Sequence, residues 1–198
     1  MASTQEAPIS RLHPTQITVG LLEVRAKVER LSLLPPKGRR DFMQGHPMPA
    51  VLGSDGVLFI TDHHHLGRAS IALGLATAFC DVEADLSKLA GDAFWQEMDR
   101  RSWVHPLDEN GVRHHYSAIP SRLESMVDDV YRSLSGFVRA AGGFEKSEAA
   151  FAEFVWADFF RRLIAIEDVR ADFRAAVKAG LALAQSKLAR GMPGYTGK

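Results

Sequence analysis

Asp62 is followed by three consecutive histidines, His63, His64 and His65. One carboxylate and three imidazoles are groups that move protons near neutral pH and contact phosphate oxygens. The segment before them, Val57-Leu58-Phe59-Ile60, is apolar and β-prone, and Asp55-Gly56 ahead of it reads as a hairpin turn. The segment behind them, Leu66-Gly67-Arg68-Ala69-Ser70-Ile71-Ala72-Leu73, is compatible with a helix. A strand-to-helix turn presents free backbone N–H groups at the helix start, which suits an anion. A carboxylate and imidazoles at a helix start suit proton transfer and phosphate contact together. That makes Asp62, His63, His64 and His65 the candidates, with Arg68 one turn later placed to hold an anion. The plainer alternative has Asp62 capping the helix, one histidine packed inward and the others in water.

A metal would need its ligands on one side, and zinc frameworks draw partners from distant segments. His105, His114 and His115 could supply them, but their spacing matches no metal motif, so the metal stays unassigned. A second candidate is Pro14–Gly20, where Gln16 and Thr18 could meet a ligand and Thr18 equally suits a helix cap. A third is the basic segment Lys37, Arg39 and Arg40, for which solvated loop charge is the simpler account. Cys80 is the only cysteine; it excludes an intramolecular disulfide and has no basic neighbour in sequence to activate it. Neither a Walker-type glycine loop nor a G-x-S-x-G elbow is present.

The chain has 198 residues, with 24 basic and 24 acidic side chains and a formal net charge of zero. That removes any whole-protein electrostatic case for nucleic-acid binding. No apolar run reaches the roughly 20 residues of a membrane span. The polar start lacks a secretory pattern, so a soluble cytoplasmic protein is expected. Residues 1–9 read as disordered and Ile9–Leu12 as a short strand. Leu21, Val24, Val28 and Leu31 give a helical stripe ended by Pro35-Pro36. Residues 37–47 read as a loop, Met48–Leu52 and Val57–Thr61 as strands, and Leu66 to about Ala78 as a helix. Val82, Ala84 and Leu86 suggest another strand, with Ser87 capping a helix through Met98. Residues 103–120 read as irregular. Helical patterns cover about 121–141, 148–166 and 168–190, and the tail from Met192 reads as frayed. The expectation is an α+β domain over residues 9–119 and an all-helical subdomain over 120–192.

The run Phe59-Ile60-Thr61-Asp62-His63-His64-His65-Leu66 resembles the Asp-Gly-His-His-Arg signature of the ParB/sulfiredoxin superfamily. His63 stands at its glycine and Leu66 at its arginine. Leu12-His13-Pro14-Thr15-Gln16 and Met48-Pro49-Ala50-Val51-Leu52 look like strands of that fold, a small mixed sheet with helices. Trp103-Val104-His105-Pro106, Asp108-Glu109-Asn110-Gly111, Asp128–Leu134 and Glu153–Phe159 look like landmarks of the ParB-like nuclease family with an extra carboxyl-terminal helical subdomain.

The resemblance implies a nucleotide, with Mg2+, or another small phosphorylated ligand at the Asp62 turn, with hydrolysis or transfer of phosphate as the reaction class. It implies Asp62, His64 and His65 as the catalytic groups, and His63, Arg68, Gln16 and Thr18 as ligand contacts. A metal-dependent nuclease and a non-enzymatic interaction module are the alternatives, and a homo-oligomer is compatible with each. Within the resemblance, His64 replaces the sulfiredoxin cysteine, which argues against that activity. Gln16 replaces the glutamate of the serine-kinase relatives, and glutamine is no general base. Glu23 is the available substitute.

Overall fold

In the computed structural model of the chain, residues 3–197 are described. The strands are β1 (Ser3–Pro8), β2 (Leu12–Pro14), β3 (Thr18–Val19), β4 (Met48–Leu52), β5 (Leu58–Ile60) and β6 (Thr77–Asp85). The helices are α1 (Leu21–Ser32), α2 (Pro36–Gly45), α3 (His64–Ala72), α4 (Gly91–Arg100), α5 (Val130–Ala140), α6 (Ala152–Leu163), α7 (Ile166–Ala171) and α8 (Phe173–Gln185). The class is α+β, with helices from Val130 onward.

Five strands form one mixed sheet in the order β1-β6-β4-β5-β2. The pairs β1–β6 and β4–β5 are antiparallel, whereas β4–β6 and β2–β5 are parallel. The short parallel pairing of Leu12 with Leu58 and Pro14 with Ile60 has the main consequence for the site. It lays the segment after Pro14 beside the end of β5, where the Asp62 turn begins. Pro14 is tolerated because β2 is an edge strand. Helix α3 then buries Leu66, Ala69 and Ser70. Gly67 lets it sit close, because a Cβ there would lie 3.0 Å from a methyl of Leu123. Gly74, at φ +66°, follows the helix in the left-handed conformation that commonly closes one.

Contacts divide the chain into two compact units. One comprises residues up to Val19, Val24–Asp108 and Val112–Val127; the other comprises Gly20–Glu23, Glu109–Gly111 and Asp128 onward. In the first, Ile17, Val51, Phe94, Met98 and Val104 form a buried cluster with Phe59 and Trp95 packed against it. In the second, Trp156 and Phe160 are fully buried, and Phe144 stacks on Trp156 with centroids 4.2 Å apart.

Several expectations are corrected. Ser3–Pro8 is a strand, because all six residues pair with β6; Met1 and Ala2 lie outside the described residues. Ile9–Arg11 is a 3-10 turn, and the strand follows it. The expected loop at 37–47 is α2: Pro36 sits in its first turn, a favoured place, and Met43 is buried. Helix α3 stops at Ala72, and Ala78-Phe79-Cys80 belong to β6, all buried in the sheet. Ser87 caps nothing; its N–H binds Asp85, and α4 begins after Ala90. Thr18 lies in β3, and the first amides of α1 are met from far along the chain. Leu21 N–H donates to Asp128 (2.9 Å) and Leu22 N–H to Ser133 (3.2 Å). The expected third long helix is two, α7 and α8, with Asp172 capping the second. The tail is tied down: Trp156 donates to the Pro193 carbonyl (2.7 Å), and Glu145 N–H donates to that of Gly194 (2.9 Å).

Candidate functional site

The candidate site begins where β5 ends. Thr15 Oγ1 donates to the carbonyl of Ile60 (2.9 Å), and Thr61 N–H donates to Pro49 O (2.9 Å), fixing both sides of the strand end. Asp62 is exposed, and its Oδ1 accepts the N–H of His63 at 2.6 Å. That bond turns the carboxylate onto the turn itself. The residue preceding α3 is His63, at φ +62°, and its side chain makes no capping bond. Holding a non-glycine residue in the left-handed region costs on the order of 1 kcal/mol. Nδ1 of His63 is buried and has no hydrogen-bond partner. The first amides of α3, those of His64, His65 and Leu66, have no intrahelical acceptor by the geometry of any helix start.

His64 is 3% exposed. Its Nε2 accepts the backbone N–H of Thr15 at 3.1 Å. Thr15 Oγ1 lies 3.4 Å from the same nitrogen, but its proton is directed to Ile60 O. Nε2 is thus an acceptor, which places the ring hydrogen of neutral His64 on Nδ1. His65 is also buried in the first turn of α3. The Gln16 side chain donates through Nε2 to the carbonyl of Thr18 (2.8 Å), and both residues are buried. His105 N–H donates to Thr15 O (2.9 Å), and His105 forms a parallel bridge with Gln16. The Thr15 backbone thus ties His64 through its N–H and the His105 backbone through its carbonyl, while Gln16 is bonded to Thr18, and all five residues are buried.

Other predicted residues stand elsewhere. Arg68 has a buried Nε without a partner, and its charge acts on Glu124. His114 binds Asp108 (2.9 Å), and His115 lies against Ser117 and Asp92. Lys37 pairs with Asp41, Arg40 with Glu6, and Arg39 donates to Leu34 O, so these cations serve α2 and its neighbours. Glu23 is paired with Arg132 at 2.7 Å.

The turn has an acidic border. Burial raises the carboxyl pKa of Glu83; the Thr61 hydroxyl opposes this, and the charges of Asp81 and Asp62 add to the rise. Among the described residues, no three His, Cys, Asp or Glu side chains are grouped so as to hold a metal ion. No helix among them is long and apolar enough to cross a membrane.

Residues 5–162 match the family described as "Putative ParB-like nuclease". The chain belongs to the ParB-like family. It is also similar to the crystal structure of protein Atu1540 from Agrobacterium tumefaciens, with 36% sequence identity and a TM-score of 0.92. That likeness covers 99% of this chain and 97% of the other. No curated protein matches the sequence. In this ParB-like chain the glycine position of the superfamily signature is filled by His63, whose positive φ is the conformation a glycine would adopt freely. Sequence reasoning missed Thr15, which holds His64 from 49 positions away; no spacing rule connects the two, and only the β2–β5 pairing does.

Proposed function

We propose that this ParB-like protein binds the phosphate of a nucleotide, or of another small phosphorylated ligand, at the start of α3. The observation that carries the reading is His63: a strained residue at an uncapped helix start, with a buried ring nitrogen lacking a partner. A phosphate oxygen there would meet the first helix amides, the positive end of the helix dipole and the His63 ring together.

The acidic border calls for a cation between protein and ligand. Mg2+ is commonly held by one or two carboxylates plus substrate phosphates and water, not by an all-protein cage. The exposed Asp62 carboxylate suits that arrangement, with the cation arriving on the ligand. Bound in this way, the ion would supply charge neutralisation for the phosphate. Asp62 could also orient a water or a ligand hydroxyl, so phosphoryl hydrolysis or transfer is the reaction class the turn supports. His64 acts here as a positioning residue, because its Nε2 is engaged by the Thr15 backbone.

Isothermal titration with ATP, ADP and CTP in the presence of Mg2+ tests the reading. Binding that weakens about tenfold or more in Asp62→Ala supports it. Absence of binding to all three, or unchanged affinity in the variant, overturns it and favours an interaction module, the reading that the backbone-bonded His64 also fits. The family description favours a second activity, nucleic-acid cleavage, for which a divalent metal is the proposed cofactor. It predicts divalent-dependent nicking that disappears in His65→Ala.

A further inference from the structure

A cleft of about 430 Å³ opens beside the far end of α3, within the first unit. Helix α3 spans roughly 13 Å at 1.5 Å per residue, so this cleft is separate from the Asp62 turn. Its size falls in the usual range for small-molecule sites. Ile9, Leu12, Ile71 and Leu75 give it an apolar lining, and the charged groups that line it are Arg122 and Glu124.

Those two charges are unequal in how firmly they are held. The Glu124 carboxyl is held below the usual range first by its own backbone N–H, then by Arg122 and Arg68. It would keep two of these three partners if Arg122 moved. Arg122 is ion-paired with Glu124 and its side chain is 70% exposed. An exposed pair of this kind contributes little to stability. Arg122 is therefore a guanidinium that a ligand can recruit at small cost.

Arg68 does not line the cleft, but its charge also acts on Glu124, so that carboxylate is not balanced by Arg122 alone. His13, also on the wall, adds no positive charge near neutral pH, because burial lowers its pKa. The end of α3 does not oppose an anion strongly. The carbonyls of Ala69, Ser70 and Ile71 are taken by the N–H groups of Leu73, Leu75 and Gly74.

We propose that this cleft binds an organic monocarboxylate with an apolar body, the carboxylate paired with Arg122 and the body lying on Ile9, Leu12, Ile71 and Leu75. A planar guanidinium can grip a carboxylate through two parallel hydrogen bonds. The apolar lining disfavours a small inorganic anion, which would leave it exposed to water.

The test uses hexanoate and phenylacetate as probes of the full chain, followed by titration calorimetry and saturation-transfer NMR. Hexanamide and hexylamine serve as neutral and cationic controls. Saturable hexanoate binding is expected, with the two controls weaker by about tenfold or more, a charge-assisted bond's contribution. Arg122→Ala should lose binding by a similar factor. Ala76→Trp, at an exposed position on the cleft wall, should block it with the fold intact by circular dichroism. Nucleotide affinity should be unchanged in both variants. No hexanoate binding at millimolar concentration, equal binding of hexanamide, or unchanged binding in Arg122→Ala would each overturn the proposal. Loss of nucleotide binding in Arg122→Ala would show the two sites to be one and would overturn it as well.

Discussion

The backbone N–H of Thr15 donates to Nε2 of His64 over 3.1 Å, in a region where both residues are buried. This bond fastens the segment after β2 to the first turn of α3, and it uses the nitrogen that a proton shuttle would need. His64→Ala should leave a buried N–H without an acceptor and a void beside it, at a cost of about 2–3 kcal/mol. Urea denaturation measures this directly. Nitrogen-15 NMR of the imidazoles should find neutral His64 with its hydrogen on Nδ1. A hydrogen on Nε2 would contradict the bond.

His63 should show a trade between stability and binding. Replacing it with glycine removes the cost of positive φ and part of the proposed phosphate contact. His63→Gly is expected to be as stable as the parent or more stable, by up to about 1 kcal/mol, and to bind Mg2+-nucleotide more weakly. Thermal unfolding and titration calorimetry on the same preparation give both numbers.

Asp129, in the second unit, caps α5 by accepting the Tyr131 N–H (2.9 Å) and pairs with Arg161 (2.7 Å) while 2% exposed. Burial pushes its carboxyl pKa up more strongly than Arg161 and the backbone donors pull it down. The folded state therefore holds this proton more tightly than the unfolded chain. The contribution to stability is largest in acid and declines as pH rises through the ordinary aspartate range and on to the raised folded value. Asp129→Asn should remove that slope from a pH series of denaturation midpoints. Asp129→Ala should cost about 3 kcal/mol, the low end for a broken buried pair, because Asp158 still faces Arg161.

Cys80 is fully buried in β6, and burial, with the Asp81 charge, pushes its thiol pKa to about 11. Ellman's reagent at pH 8 should leave it intact in the native protein and react with it in guanidinium. Because the folded pKa lies above the ordinary value of 9.0, stability should fall as pH rises between about 9 and about 11. Fast native labelling would contradict the burial.

The turn that carries the candidate site was legible in the sequence because its signals are local. Asp62, the histidine run and the apolar segments around them mark a strand-to-helix turn; β4 and β5 fall close to where pattern places them, and so does the start of α3. The end of α3 lies about a turn and a half earlier than expected, because Ala78 is drawn into β6. What escaped depends on contacts between distant residues. Ser3–Pro8 has no strand pattern of its own and is a strand because β6 supplies a partner. Helix α2 has few apolar residues and contains Gly38, so its period was hidden; Pro36 was the available cue. Leu21 and Leu22 are capped by Asp128 and Ser133, more than a hundred residues away, where a local reading offers only Thr18. The exposed or buried state of each histidine was equally out of reach, because alternation along four residues says nothing about a helix that starts within them.

The central claim, a phosphate held at the start of α3, is tested most directly by titrating Mg2+-nucleotide into nitrogen-15-labelled protein and following the backbone amides. Saturable shifts concentrated on His63, His64, His65 and Leu66, reduced in His63→Gly, are the predicted result. Shifts that leave these amides untouched while the nucleotide binds elsewhere, or no shifts at all, would contradict the claim.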